Sequence, residues 1–182
     1  MRPCDHSAAG SDYGKIAYEK IAATDITQYD IIVICYGAND GYYEVDDWDS
    51  VDTNVTGART VMGQFNKIIQ YIRTQNATCQ IIVFGPYNGR NTGSYPNYWY
   101  GLEVTNPTAG SQQQGRWSRM LLNNALSRAC EYYWIIYIPQ FDSPLSPDII
   151  SSSTYVPDGV HPIEEIYDKL GIWFAGKIQP YI

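Results

Sequence analysis

The sequence predicts an α/β fold in which helices cover both faces of a parallel sheet. Apolar runs, of which residues 31–36 are the clearest, alternate along the chain with segments whose apolar residues follow helical spacing. A β-branched run without polar alternation is typical of a strand buried on both faces, and its alternation with helices indicates a parallel sheet. The length of 182 residues fits one domain with a core of its own.

The first half of the chain contains two predicted helices and two predicted strands. A short helix is expected over residues 13–23, before the strand at residues 31–36. A longer helix over residues 58–74 has apolar residues at every third or fourth position. Gln80–Phe84 is the next buried strand, and Gly85 with the proline after it ends that strand.

The second half repeats this alternation. An amphipathic helix is predicted over residues 114–132 and a strand over residues 134–138. The closing helix is expected to begin at Pro162, because a proline in the first turn loses no helical hydrogen bond. Glu164 and Glu165 then lie near its positive end. With no internal repeat and no linker, residues 1–182 are predicted to form a single domain.

Charge and hydropathy exclude several classes of partner. The formal net charge is −7 and the sequence pI is about 4.6, which argues against nucleic acid and against anionic membrane surfaces. No run approaches the roughly 20 apolar residues that a membrane-spanning helix needs. The first residues lack the apolar segment of a signal peptide, and the sequence does not indicate a compartment.

The four cysteines do not form a recognisable metal or disulfide pattern. They are far apart and include no C-x-x-C pair; they are Cys4, Cys35, Cys79 and Cys130. Because Cys35 lies in the predicted core strand, buried free thiols are expected in place of a disulfide framework or a zinc site.

A short motif near the C-terminus combines a carboxylate and an imidazole. Asp158 precedes His161 by three residues, within Asp-Gly-Val-His-Pro. In a tight turn the carboxylate can accept from one ring nitrogen, which fixes the tautomer and leaves the other nitrogen as a base. The alternative is a surface turn that caps the last helix, since Asp, Gly and Pro are all turn residues.

A second motif follows the first buried strand. Gly37-Ala38-Asn39-Asp40 comes at the carboxyl end of residues 31–36, the edge where ligands bind in open α/β sheets. Gly-x-Asn-Asp after a buried strand, with Asp-x-x-His-Pro before a final helix, resembles the SGNH (GDSL-type) hydrolases. The resemblance spans residues 7–178 and implies a three-layer, flavodoxin-like fold and an esterase or acylhydrolase activity.

The resemblance also implies roles for four residues. His161 would be the general base of a Ser-His-Asp triad and Asp158 would orient its ring, while the Asn39 amide and the Gly10 N–H would form the oxyanion hole. No metal or organic cofactor is implied. From the residues alone, Gly10 can equally be a tight-turn glycine, and Asn39 can be a turn residue after a strand.

The sequence departs from the family at the nucleophile. Family members open with a strand that ends in Gly-Asp-Ser, and that tripeptide occurs nowhere here. The domain is therefore expected to be N-terminally incomplete, with the first, central strand missing. Such a sheet would expose unpaired edges, so self-association or a partner strand is expected to complete it. Ser7 and Ser50 are weak substitutes, since neither follows a predicted strand.

Two polar and aromatic segments are predicted to be loops. Residues 42–52 mix carboxylates with Tyr and Trp; a solvated rim of the site is favoured over a cation loop, whose ligand pattern is denser. Residues 87–110 form a long irregular segment, a length that is usually functional in compact domains. Its aromatic residues suit stacking on sugar rings or acyl groups, or else anchor the loop to the domain.

These motifs favour one function and leave two alternatives open. The favoured reading is a hydrolase of small-molecule or carbohydrate esters, a carbohydrate O-acetyl esterase among them. The first alternative is a catalytically silent, SGNH-like module that binds glycans. The second is a structural component of a larger assembly, in which a partner strand completes the sheet.

Overall fold

The computed structural model of the protein describes residues 15–35, 61–86, 119–145, 149, 152–157 and 161–182. Helices and strands alternate in these ranges, as the sequence predicts. The helices are α1 (Lys15–Ala22), α2 (Val61–Gln75), α3 (Arg119–Tyr132) and α4 (Glu164–Ile178). The strands are β1 (Ile31–Cys35), β2 (Gln80–Phe84) and β3 (Ile136–Ile138). Short 3-10 turns occupy Ile26–Gln28 and Gln179–Tyr181.

The three described strands form one parallel sheet in the order β1-β2-β3. Val33 of β1 stands opposite Ile82 of β2, which in turn stands opposite Ile136 of β3. Because all three strands run the same way, their carboxyl ends meet at one edge of the sheet. Parallel strands need a crossover between them, and α2 and α3 supply the two crossovers.

One face of the sheet packs against three helices. Ile81 and Val83 of β2 lie in a core cluster with Phe65 and Ile69 of α2 and Leu126 of α3. The partly buried side chains of α1 complete this cluster at its margin. Full burial of such side chains contributes about 1.5–3 kcal/mol each, so this layer is a main source of stability.

The other face of the sheet packs against α4. Phe84 of β2 meets Phe174 edge-on, with ring centroids 4.5 Å apart, and Trp173 at 5.8 Å. Ile82 and Ile138 belong to the same buried cluster. Helices therefore cover both faces of a parallel sheet, which confirms the predicted three-layer, flavodoxin-like architecture.

Strand β1 is less buried than its sequence predicts. Its alternate residues Ile32 and Ile34 pack against the cluster under α2, but Val33 on the opposite face is 42% exposed and Cys35 is exposed as well. Within the described ranges β1 pairs with β2 alone, and the aromatic contacts of α4 to the sheet reach Phe84 on β2. The prediction of burial on both faces was therefore wrong for Val33 and Cys35, although Ile31 on the same face is partly buried.

Three further expectations need correction. The last strand begins at Ile136 and not at residue 134, because Trp134 has a left-handed backbone (φ 56°) that no strand can accommodate. The final helix begins at Glu164 and not at Pro162, since Ile163 is extended (φ −68°, ψ 164°). Cys79 and Cys130 are buried free thiols as predicted, whereas the Cys35 thiol is exposed.

In the described part of the chain, no helix is long and apolar enough to span a membrane.

Candidate functional site

His161 lies just before α4, two residues ahead of a backbone anchor at Ile163. The Ile163 N–H donates to the Tyr155 carbonyl at 2.9 Å, which ties the entry of α4 to the preceding turn. The Ile163 side chain packs against a cluster formed by Leu145, Ile166 and Leu170. His161 itself is exposed. A firmly held backbone with an exposed imidazole is a suitable arrangement for a side chain that exchanges protons with a substrate.

The first turn of α4 places two carboxylates after this histidine. Glu164 and Glu165 are both exposed, and both are stabilised by the partial positive charge of the helix N-terminus. Glu165 also accepts a 2.6 Å hydrogen bond from Lys169, one turn later. That hydrogen bond and the charge of Glu165 raise the pKa of the Lys169 ammonium group. Glu165 is thus engaged along the helix, away from its first turn.

The carboxyl ends of β2 and β3 meet in a polar cluster of four residues, which we call the edge cluster: Gly85, Asn123, Tyr137 and Gln140. The Gly85 N–H donates to the Ile138 carbonyl at 3.0 Å, which extends the pairing of β2 and β3 by one residue. The buried Gln140 amide donates to the Gly85 carbonyl at 2.5 Å. The Tyr137 hydroxyl donates to Asn123 Oδ1 at 2.6 Å.

Only glycine fits at position 85 of the edge cluster. A Cβ atom there would overlap the Tyr137 hydroxyl oxygen and would lie 2.9 Å from the ring carbon that carries it. The Tyr137 ring is held against Gly85 by its bond to Asn123, so it cannot simply swing away. The close approach of ring and backbone therefore fixes where the chain leaves β2.

The edge cluster holds the ends of two strands in place, and its titratable group, the Tyr137 hydroxyl, stays neutral. Burial raises the pKa of the Tyr137 hydroxyl far above its ordinary value, so the phenol stays neutral and remains a donor. Asn123 Nδ2 donates in turn to Asn124 Oδ1 at 3.3 Å. Asn124 is exposed, so this series of hydrogen bonds links the buried phenol to the surface of α3. A network of neutral donors and acceptors can hold a backbone in register at the ligand-binding edge of the sheet.

Of the four predicted site residues, the structure describes only His161. Gly10, Asn39 and Asp158 lie outside the described residues, and so do Ser7 and Ser50. The acidic segment at residues 42–52 and the aromatic segment at residues 87–110 also lie outside them. The convergence of Gly10, Asn39, Asp158 and His161 at one sheet edge stays a prediction.

Sequence reasoning missed the edge cluster. The sequence predicts only that Gly85 ends a strand and that Tyr137 lies within one. The sequence signal was present, since a Gly directly after a buried strand often marks a close approach of the backbone to another group. The partner of that approach, the Tyr137 hydroxyl, lies 52 residues away and is not indicated by any local pattern.

Solved structures with low sequence identity resemble this chain in fold. One solved structure aligns with a TM-score of 0.66 at 17% identity, covering 98% of this chain and 75% of that one. A Lactobacillus plantarum protein gives a TM-score of 0.60 at 12% identity, covering 96% and 76%. A Chitinophaga pinensis structure described as a possible lipase gives 0.50 at 23% identity, covering 70% and 48%. These likenesses show the fold alone.

No curated protein matches the sequence significantly. The sequence model of one family does match, and it covers residues 6–169, nearly the whole chain. The matched range includes both motifs from which the resemblance was drawn, together with His161 and the start of α4. The protein therefore belongs to the GDSL-like lipase/acylhydrolase family.

Proposed function

We propose that this chain carries the base, the orienting carboxylate and the oxyanion donors of a serine ester hydrolase. The observation that carries the proposal is the family match over residues 6–169, which contains all four predicted site residues. The exposed His161, two residues before the anchored Ile163, supports it, since a triad base must reach a substrate without moving the helix behind it. The substrate class is a small-molecule or carbohydrate ester, with O-acetylated sugars favoured by the aromatic segment at residues 87–110.

The mechanism assigns one task to each residue. His161 takes the proton of a serine hydroxyl as that oxygen attacks the ester carbonyl, and later returns a proton to the leaving alkoxide. Asp158 accepts from the other ring nitrogen and stabilises the imidazolium that forms. The Asn39 amide and the Gly10 N–H donate to the tetrahedral oxyanion, each contributing a factor of about 10²–10³ in rate. The scheme requires no metal and no organic cofactor.

The nucleophile is the part of the triad that we assign to a segment outside these 182 residues. The sequence contains no Gly-Asp-Ser, and neither Ser7 nor Ser50 follows a predicted strand. The outer edge of β1 is where such a segment would add to the sheet. Its half-exposed Val33 and its pairing with β2 alone, among the described strands, support an added strand there. Either a partner strand or self-association would complete the sheet.

A catalytically silent glycan-binding module or a structural component is the second candidate. The absence of Gly-Asp-Ser from the sequence is the observation that favours it. Both candidates predict the same fold, so they differ only in whether a serine reaches His161.

The decisive experiment extends the chain. The DNA directly upstream of Met1 would be sequenced, and the product encoded with any in-frame extension would be assayed on p-nitrophenyl acetate and on acetylated xylo-oligosaccharides. We expect a Gly-Asp-Ser strand in the extension, and hydrolysis that His161→Ala and Asp158→Ala each lower by at least 10³. Glu164→Gln, at the exposed first residue of α4 and outside the predicted triad, is the matched control and should retain activity. An extended product without that serine, or one that hydrolyses neither ester, would favour the second candidate.

A further inference from the structure

Helix α3 ends in a turn whose key position holds an unexpected residue. The Ile135 N–H donates to the Cys130 carbonyl at 2.8 Å, and the Trp134 N–H donates to the Glu131 carbonyl at 3.2 Å. This pair of bonds defines a Schellman motif, in which Trp134 takes the left-handed position with φ 56°. Glycine is usual there, because a Cβ atom makes the left-handed conformation unfavourable. A tryptophan at this position therefore makes the turn less stable than a glycine would.

The tryptophan gains nothing from burial in return. Trp134 is 94% exposed, and no aromatic pair among the described residues includes its ring. Tyr132, two residues earlier, is 64% exposed, and it meets the Tyr133 ring edge-on with centroids 5.2 Å apart. Tyr133 is only partly exposed and packs against the core, so it braces the outward-facing Tyr132. The fold thus presents two large aromatic rings to solvent at one turn.

This turn is remote from the edge cluster. Trp134 precedes β3 by two residues and therefore lies at the amino end of the strand. Gly85 follows the last residue of β2 and lies at the carboxyl end, the edge at which ligands of such sheets bind. An aromatic surface at the opposite edge cannot belong to the candidate ester site.

We propose that Tyr132 and Trp134 form a carbohydrate-binding surface on which neutral β-1,4-linked polysaccharides stack. The flat C–H faces of equatorially linked sugars pack on aromatic rings, and an exposed indole is the largest such platform a protein offers. This inference goes beyond the proposed function, since the surface binds a glycan whether or not the ester site is complete.

Size and charge decide between partner classes. An aromatic side chain buries about 150–250 Å², so two rings bury at most about 500 Å². A stable protein–protein interface needs about 800 Å² on each partner, which two rings do not reach. Nucleic acid and anionic lipid surfaces are polyanions, and a chain with a net charge of −7 repels them. An uncharged sugar polymer satisfies both limits.

The test is affinity electrophoresis in native gels that contain hydroxyethyl cellulose, arabinoxylan or galactomannan. We expect at least one of these polymers to retard the wild-type protein. Trp134→Gly should weaken that retardation at least tenfold, by the loss of one stacked ring. The same substitution should raise the melting temperature, because glycine suits φ 56°. Trp134→Phe should retain most of the retardation. Ile172→Ala, at a 75% exposed position on α4, is the matched control and should change nothing.

Several results would overturn the proposal. One is a wild-type protein that none of the three polymers retards, and another is equal retardation of the wild type and Trp134→Gly. A fall in melting temperature with Trp134→Gly would show that the ring packs against the domain and does not face a ligand. Binding to phosphatidylcholine vesicles that is lost with Trp134→Gly, without polysaccharide binding, would identify a lipid surface instead.

Discussion

Replacing Gly85 with alanine should destabilise the protein through one identifiable contact. The added methyl group would overlap the Tyr137 hydroxyl, would lie 2.9 Å from the ring carbon that carries it, and would lie 3.4 Å from Asn123 Oδ1. Forcing a methyl group into a packed site costs about 1–3 kcal/mol. Displacing the ring also weakens its 2.6 Å hydrogen bond to Asn123, a bond worth about 0.5–1.5 kcal/mol. The expected loss is therefore about 2–4 kcal/mol.

Thermal melting would measure this loss against two matched controls. For a domain of this size 1 kcal/mol corresponds to about 2–4 °C, so Gly85→Ala should lower the melting temperature by roughly 5–15 °C. Gly171 and Gly176 lie in α4 with no atom within 4 Å of an added Cβ. Alanine at either helical position should instead stabilise by up to about 1 kcal/mol. The contrast separates the effect of crowding from the effect of backbone freedom.

A double-mutant cycle identifies Tyr137 as the cause. In a Tyr137→Phe background the hydroxyl is gone and only the tight ring contact remains, so Gly85→Ala should cost at least about 1 kcal/mol less than in the wild type. Equal costs in the two backgrounds would show that the Tyr137 hydroxyl is not the cause. A melting temperature that Gly85→Ala leaves unchanged would show that the site has room for a methyl group.

Two further predictions concern β1 and a buried thiol. The half-exposed apolar edge of β1 should make the purified chain self-associate or retain a bound strand. In light scattering, Val33→Lys should reduce this association, while the control Ile172→Lys should not. A compact wild-type monomer with nothing bound would contradict the prediction. Burial raises the pKa of the Cys130 thiol from 9.0 to about 12, so the unfolded chain loses this proton first. The contribution of the buried, protonated Cys130 thiol to the stability of the folded state is complete below about pH 9 and is lost as the pH rises towards 12. Iodoacetamide at pH 9.5, followed by peptide mass spectrometry, should leave Cys130 unmodified in the native protein and modify it in urea; native labelling would show that the thiol is not buried.

Much of the fold could be predicted because the hydrophobic pattern and the structure obey the same periodicity. Gln80–Phe84 is a strand with the predicted bounds, and its apolar residues are buried on both faces as a central parallel strand requires. The same pattern at Ile31–Cys35 also gave a strand, yet Val33 is half exposed. A run of β-branched residues indicates a strand, but it does not show how far neighbouring elements cover each face of that strand.

The errors at element ends have local causes that apolar periodicity does not record. In the sequence, Trp134 belongs to the same apolar run as β3. In the structure, the Schellman hydrogen bonds at the end of α3 hold Trp134 in a left-handed conformation. Pro162 is a good first helical residue, but the Ile163 N–H bonds to Tyr155 and keeps the chain extended for two more residues. Both outcomes depend on backbone hydrogen bonds between residues three to eight positions apart, which the spacing of apolar residues does not indicate.

At the candidate site, too, local patterns could be predicted from the sequence and tertiary contacts could not. His161 is predicted as a site residue because an Asp and a His at short spacing before a helix can act together as an orienting carboxylate and a base, and its role stays a prediction. The edge cluster depends on a contact between Gly85 and Tyr137, which belong to different strands. Such tertiary contacts leave no trace in the spacing of residues along one segment.

The most direct test of the proposed triad is the hydrolysis of p-nitrophenyl acetate by the 182-residue chain and by His161→Ala at equal concentration. If His161 is a triad base whose serine lies outside this sequence, both proteins should hydrolyse the ester slowly and at the same rate. Rapid turnover by the wild type that His161→Ala abolishes would contradict the assignment of the nucleophile to another segment. It would show that a serine within these residues is the nucleophile, with Ser7 the first to be replaced by alanine.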